Sequence, residues 1–121
     1  MLVERRFNFL RRFFTPQTVF MEAGFCEMAL RAASWVDRVY AVELPESLVK
    51  NIVPPINMRL EYAVPENSVH VAYAEKECDV ERVFRALAPG GMFLSTLPIA
   101  LTHFKKVYFP WFKPVRVVAF K

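Results

Sequence analysis

At 121 residues, with 55% hydrophobic side chains and a mean hydropathy of +0.21, the chain can bury one sizeable core and has no room for a second. Charged residues make up 23%, which argues against intrinsic disorder, and no apolar run approaches the roughly 20 residues needed to span a bilayer. The net charge of +4 and pI near 9.3 favour anionic partners weakly and single out no nucleic acid.

Residues 2–14 read as an amphipathic helix within an N-terminal segment 1–15. Val3, Phe7, Leu10 and Phe14 share a stripe, Arg5, Arg11 and Arg12 fall opposite, and Arg6 interrupts the apolar sector. Thr15-Pro16 ends it, because the residue before proline avoids the α region. Such a helix covers a sheet, or lies on a membrane surface or nucleic acid as a lower-ranked alternative. Arginines interleaved with aromatics do not make a secretory signal, and Cys26 and Cys78 have neither disulfide-framework nor metal-ligand spacing. A cytoplasmic protein with two reduced thiols is expected.

Residues 18–22 form a β-branched and aromatic strand, followed by a short helix within 25–35 that packs Cys26, Ala29, Leu30 and Ala33 on a sheet. Residues 39–43 are a near-continuous apolar run, as a strand buried on both faces requires. Pro45 opens a helix through Leu48, Val49 and Ile52, which Pro54-Pro55 closes. Further strands are expected at 58–63 and 68–74, then a helix at 79–87 with Val80, Val83, Phe84 and Leu87 inward. Pro89-Gly90-Gly91 signals a turn before a fifth strand at 92–97. A helix at 99–108 and a sixth strand at 115–120 complete the chain. Strands alternating with helices predict one Rossmann-like, doubly wound α/β domain over 1–121, its mostly parallel sheet carrying helices on both faces.

In such sheets ligands bind beyond the carboxyl ends of the strands. That edge would carry Glu22-Ala23-Gly24-Phe25 after the first strand and Glu43-Leu44 after the second. Glycine there lets the backbone approach a ligand, and an acid at the second strand's end can accept both hydroxyls of a ribose. Glu43 follows Gly24 by nineteen positions, close to the spacing of about 20 found in nucleoside-binding strand–helix–strand units.

Four stretches occur in order: Val19-Phe-Met-Glu-Ala-Gly24, Arg38-Val-Tyr-Ala-Val-Glu43, Val64 to Tyr73, and Val83-Phe-Arg-Ala-Leu-Ala-Pro-Gly-Gly-Met-Phe-Leu94. Together they resemble the first, second, fourth and fifth strand regions of class I S-adenosylmethionine-dependent methyltransferases, over roughly residues 10 to 97. Arg85-Ala-Leu-Ala-Pro-Gly-Gly91 is similar to that family's R-x-L-x-P-G-G turn and is the most specific piece. The resemblance implies S-adenosylmethionine as cofactor and methyl transfer to an unidentified acceptor. Glu22 and Gly24 would lie near its methionine end and Glu43 on the ribose hydroxyls, Glu61 would substitute poorly for the family's adenine-reading acid, and Ala23, Phe25 and Leu44 would complete the cofactor-binding set.

The chain also departs from the family pattern. The turn usually reads E/D-x-G-x-G-x-G, whereas Phe25, Cys26 and Glu27 follow Gly24. The stretch after the third strand is compressed to Glu61-Tyr-Ala-Val-Pro65, and the loop after the fourth to Glu75-Lys-Glu-Cys78. A general base, where one is needed, would come from His70, His103, Glu75 or Glu77. The alternative is a catalytically degenerate domain serving as a binding or partner subunit. It would associate through the aromatics Tyr108 to Phe112, or through a sheet edge left open by a terminal strand pair reduced to one strand.

Overall fold

A computed structural model describes residues 2–61, 63–97, 103–109 and 114–121. Helix α1 (Leu2–Leu10) runs into a 3-10 turn, Arg11–Phe13, and the backbone turns extended at Phe14. Thr18 Oγ1 then accepts the Thr15 N–H and fixes the approach to strand β1 (Val19–Ala23). There follow α2 (Glu27–Ala32), β2 (Arg38–Val42), α3 (Glu46–Asn51), β3 (Met58–Leu60), β4 (Val69–Ala74), α4 (Val80–Ala86), β5 (Leu87–Ser95), β6 (Lys106–Tyr108) and β7 (Val117–Phe120).

The strands form one sheet in the order β3-β2-β1-β4-β5-β7-β6. β1 to β5 are parallel, and β7 returns antiparallel between β5 and β6. Two apolar clusters lie on its two faces, because successive strand side chains point opposite ways. On one face Phe20, Val71, Tyr73 and Leu94 meet Phe7 and Leu10 of α1 and Met28 and Ala29 of α2. On the other, Met21, Val69, Phe93 and Ala119 meet Val83 and Ala86 of α4. Burial on both faces explains why β2 reads as a near-continuous apolar run and why β1 and β4 are apolar apart from Glu22 and His70. This is the mostly parallel, doubly wound α/β sheet expected from the sequence.

Two expectations need correction. The segment read as a helix over 99–108 is a strand at Lys106–Tyr108, while residues 98–102 lie outside the described ones. The terminal strand pair is also complete, since Lys106, Val107 and Tyr108 pair with Phe120, Ala119 and Val118. The described sheet therefore has seven strands rather than six, and β6 covers the edge of β7 that would otherwise stand open.

The Pro89-Gly90-Gly91 turn signal is realised inside β5 as a bulge. Val69 pairs with Leu87 and Val71 with Met92, so β5 advances five positions while β4 advances two. Proline suits such a place, because no ladder N–H is needed there. Gly91 is needed for space: a Cβ there would lie 2.8 Å from the Ala88 carbonyl and 3.0 Å from that of Val69. Gly91→Ala is therefore expected to cost about 1–3 kcal/mol, read as a lower urea midpoint with an unchanged slope. A wild-type midpoint would mean that the bulge relaxes freely.

Candidate cofactor rim

Parallel pairing places Ala23 beside Val42 and Ala74, so the loops that follow β1, β2 and β4 leave from one rim. The Gly24 N–H donates to the Val42 carbonyl at 2.9 Å, which puts Gly24 and Glu43 side by side there. Gly24 takes φ +90°, a conformation that favours glycine. Ala23 and Leu44 belong to the same rim; Ala23 is buried in the α4-side core and Leu44 packs partly against the other.

Each of the three acids assigned to the cofactor accepts a backbone N–H of this chain. Glu22 is fully buried, and its Oε1 accepts the Ala29 N–H at 2.8 Å in the first turn of α2. Both oxygens of Glu43 face the Asp79 N–H, at 3.0 and 3.3 Å, at the N-cap of α4. Glu61 accepts the N–H of Leu44. Glu43 and Glu61 also have positive φ, 57° and 51°, unusual for residues with a Cβ. Their carboxylate contacts hold those loop conformations in place.

The loop after β4 closes over this rim. A Cβ at Gly24 would meet Lys76 Cβ at 3.4 Å and the Glu77 carbonyl at 3.8 Å. The Lys76 ammonium lies 5.1 Å from the centre of the Phe25 ring, within cation–π range. Thr96 Oγ1 donates to the Glu75 carbonyl and ties the loop to the end of β5. Phe25 itself is half-buried and lines a cavity of about 500 Å³ between α2 and α3, with Leu30, Leu48 and Ile52. The space above Gly24 and beside Glu43 is thus occupied by residues 76–79. A cofactor with its ribose on Glu43 would have to displace the Asp79 N–H and lift Lys76. The residues as folded do not fit S-adenosylmethionine.

A half-buried polar cluster lies beneath the rim on the α1 side. Tyr73 donates to Glu75 Oε1 at 2.8 Å, and Arg6 Nη1 reaches the same oxygen at 3.1 Å. The arginine that interrupts the apolar stripe of α1 is therefore one end of a long-range ion pair. Among the described residues, Arg6 Nε and Glu22 Oε2 are buried with no hydrogen-bond partner. Burial pushes the Glu22 carboxyl up to about 8; the Ala29 N–H opposes this and the Glu75 charge adds to it. Burial likewise raises the Cys26 thiol, helped by Glu22 and Glu27, and raises Cys78 to about 12 with the charges of Glu43 and Asp79. Neither thiol has the environment of a nucleophile.

The candidate bases are scattered. His70 is exposed and its Nδ1 accepts the Val19 N–H at the start of β1. His103 is exposed and packs on Phe84. Glu75 and Glu77 belong to the covering loop. The Arg6–Tyr73–Glu75 cluster was not foreseen, because its members are far apart in sequence and only the break at Arg6 hinted at it.

Strand order and pairing define an open, mostly parallel, doubly wound α/β sheet. No family model and no curated protein sequence matches the chain. Solved structures do. YcgJ of Bacillus subtilis aligns with a TM-score of 0.59 at 15% identity, over 76% of this chain and 50% of that one. A protein provisionally described as a methyltransferase, from Bacillus halodurans, gives 0.58 at 15% over 74% and 48%. An rRNA methylase of Streptococcus thermophilus gives 0.57 at 14% over 100% and 96%. The chain spans about half the length of the first two. At such identities the likeness shows the fold alone, a Rossmann-like α/β fold that structures described as methyltransferases share.

Proposed function

We propose that this chain is a methyltransferase-fold binding or partner subunit whose cofactor rim is closed by its own loop, so that it carries no methyl-transfer activity by itself. The reading rests on Glu43: the carboxylate that would hold a ribose accepts the Asp79 N–H with both oxygens. Trp35, Tyr108 and Phe109 are large exposed apolar side chains available to a partner, while residues 110–113 lie outside the described ones. No helix among the described residues is long and apolar enough to cross a membrane, and a cytoplasmic location is part of the proposal.

Calorimetric titration with S-adenosylmethionine tests this reading. No saturable heat is expected up to millimolar ligand. Micromolar binding that disappears in Glu43→Ala would overturn it in favour of a working methyltransferase acting on an unidentified acceptor. That second reading has one observation in its favour: Glu22, Gly24 and Glu43 stand at one rim, with Gly24 at φ +90°. It requires residues 75–79 to swing away, so Asp79 amide exchange should then accelerate when ligand binds. For the partner role, sedimentation should show concentration-dependent association that Phe109→Asp abolishes. A monomer at all concentrations would remove self-association from the proposal.

A further inference from the structure

A second cavity lies away from the rim, on the α1 side of the sheet, where β5, β7 and β6 extend past the cover of α1. Phe120 and Val118 of β7 and Met92 of β5 form its floor, and Phe9 and Phe13 form its wall. Its volume is about 680 Å³, within the range of roughly 300–1,000 Å³ usual for small-molecule sites. Pairing with Phe120 and Val118 puts Lys106 and Tyr108 on this same face, and the Tyr108 ring meets Phe120 edge-on at 5.9 Å. Lys105 and Lys106 stand at the mouth, and the Arg12 guanidinium lies 5.7 Å from the centre of the Phe9 ring.

The charged side chains that line this mouth are all basic. No acid is among the described lining residues, and among the described residues no carboxylate lies within ion-pair distance of Lys105 or Lys106. Lys121 also borders the cavity, but its ammonium is spent on Asn67 and on the Phe84 and Leu87 carbonyls. An apolar trough beside two lysine side chains complements one kind of small molecule: a single hydrocarbon chain ending in an anion. The apolar walls take the chain, the ammonium groups take the head, and neither leaves a buried charge unpaired.

The geometry points to a binding site for the anion of a medium- or long-chain fatty acid in this groove, independent of what the cofactor rim does. The occupant is a free monomeric fatty acid, held by Phe9, Phe13, Met92, Val118 and Phe120 along its chain and by Lys105 and Lys106 at its carboxylate. Binding should strengthen with chain length until the groove is full, by about fourfold per added methylene at most.

Displacement of a fluorescent dansylated undecanoate from the full chain, by ligands below their critical micelle concentrations, provides the test. Dodecanoate should displace the probe, with dodecyltrimethylammonium at least tenfold weaker, and should shift the Met92 methyl resonance. The double substitution Lys105→Glu, Lys106→Glu alters exposed side chains, and circular dichroism would check that it folds. It should weaken dodecanoate at least tenfold and favour the cationic amphiphile. Equal displacement by both head groups, or an unmoved Met92 methyl, would overturn the assignment. So would binding seen only with phosphatidylglycerol vesicles, which would make the groove a membrane-facing surface. Shifts at Met92 that follow protein concentration and resist dodecanoate would assign the groove to a second copy of the chain, and would equally overturn it.

Discussion

Glu22→Gln is expected to stabilise the protein by roughly 3–5 kcal/mol at pH 8.5 to 9, and to leave it close to wild type at pH 5. The carboxyl is fully buried between β1 and α2, and its pKa rises from 4.5 to about 8 on folding. A group whose folded pKa is raised contributes stability that is fully present below its unfolded value. That contribution is lost as pH climbs through the folded value. Wild-type stability should therefore fall from about pH 4.5 to about pH 8 and level off above, as the buried carboxyl ionises. Glutamine keeps an oxygen for the Ala29 N–H and cannot ionise, so the decline should flatten. Thermal melts of both proteins across pH 5 to 9 give the answer. Parallel curves would mean that Glu22 is ionised, or solvated, throughout.

Glu75→Ala should cost about 3 kcal/mol at neutral pH, the second-largest effect expected. One oxygen of this carboxylate accepts from both Tyr73 and Arg6, and the side chains of Arg6 and Glu75 are only about one-fifth exposed, 20% and 21%. Removing it leaves a buried phenol and a guanidinium, whose Nε already has no partner among the described residues, without their acceptor. Tyr73→Phe deletes only a hydroxyl and should cost about 1 kcal/mol. A double-mutant cycle separates the two contributions, and purely additive losses would show that the hydrogen bond contributes nothing. Because the Glu75 charge also raises the Glu22 pKa, the pH-dependent decline seen in wild type should level off at lower pH in the same variant. Losing that repulsion lets Glu22 ionise at lower pH inside the fold, which narrows its gap from the unfolded value and makes the decline shallower.

Most of the scaffold could be read from local pattern. Phe20 to Ala23, Val39 to Val42 and Val71 to Ala74 are buried on both faces, and apart from Glu22 they read as continuous apolar runs whatever surrounds them. The adjacency of Gly24 and Glu43 followed from the strand–helix–strand connection, which leaves parallel neighbours in step. The last third of the chain was less legible. Phe104, Lys105, Lys106 and Val107 suit a helix by period, yet Lys106–Tyr108 extends because β7 offers an unpaired edge, a condition no local window contains.

Amino-acid order by itself determined where the first four strands run, the parallel course of the first five, and that two acids and a glycine reach one rim. It could not determine what those acids hold, because a carboxylate takes the nearest good donor and only the folded chain decides which donor is nearest. Residues 75–79 come back over β1 and β2 from a strand two places along the sheet from β2, and their Asp79 N–H reaches Glu43 across 36 positions of sequence. Arg6 likewise finds Glu75 across 69 positions. Contacts of that range depend on register, crossover and side-chain packing together, and they set the protein's own backbone against the carboxylate that the sequence offered to a ribose.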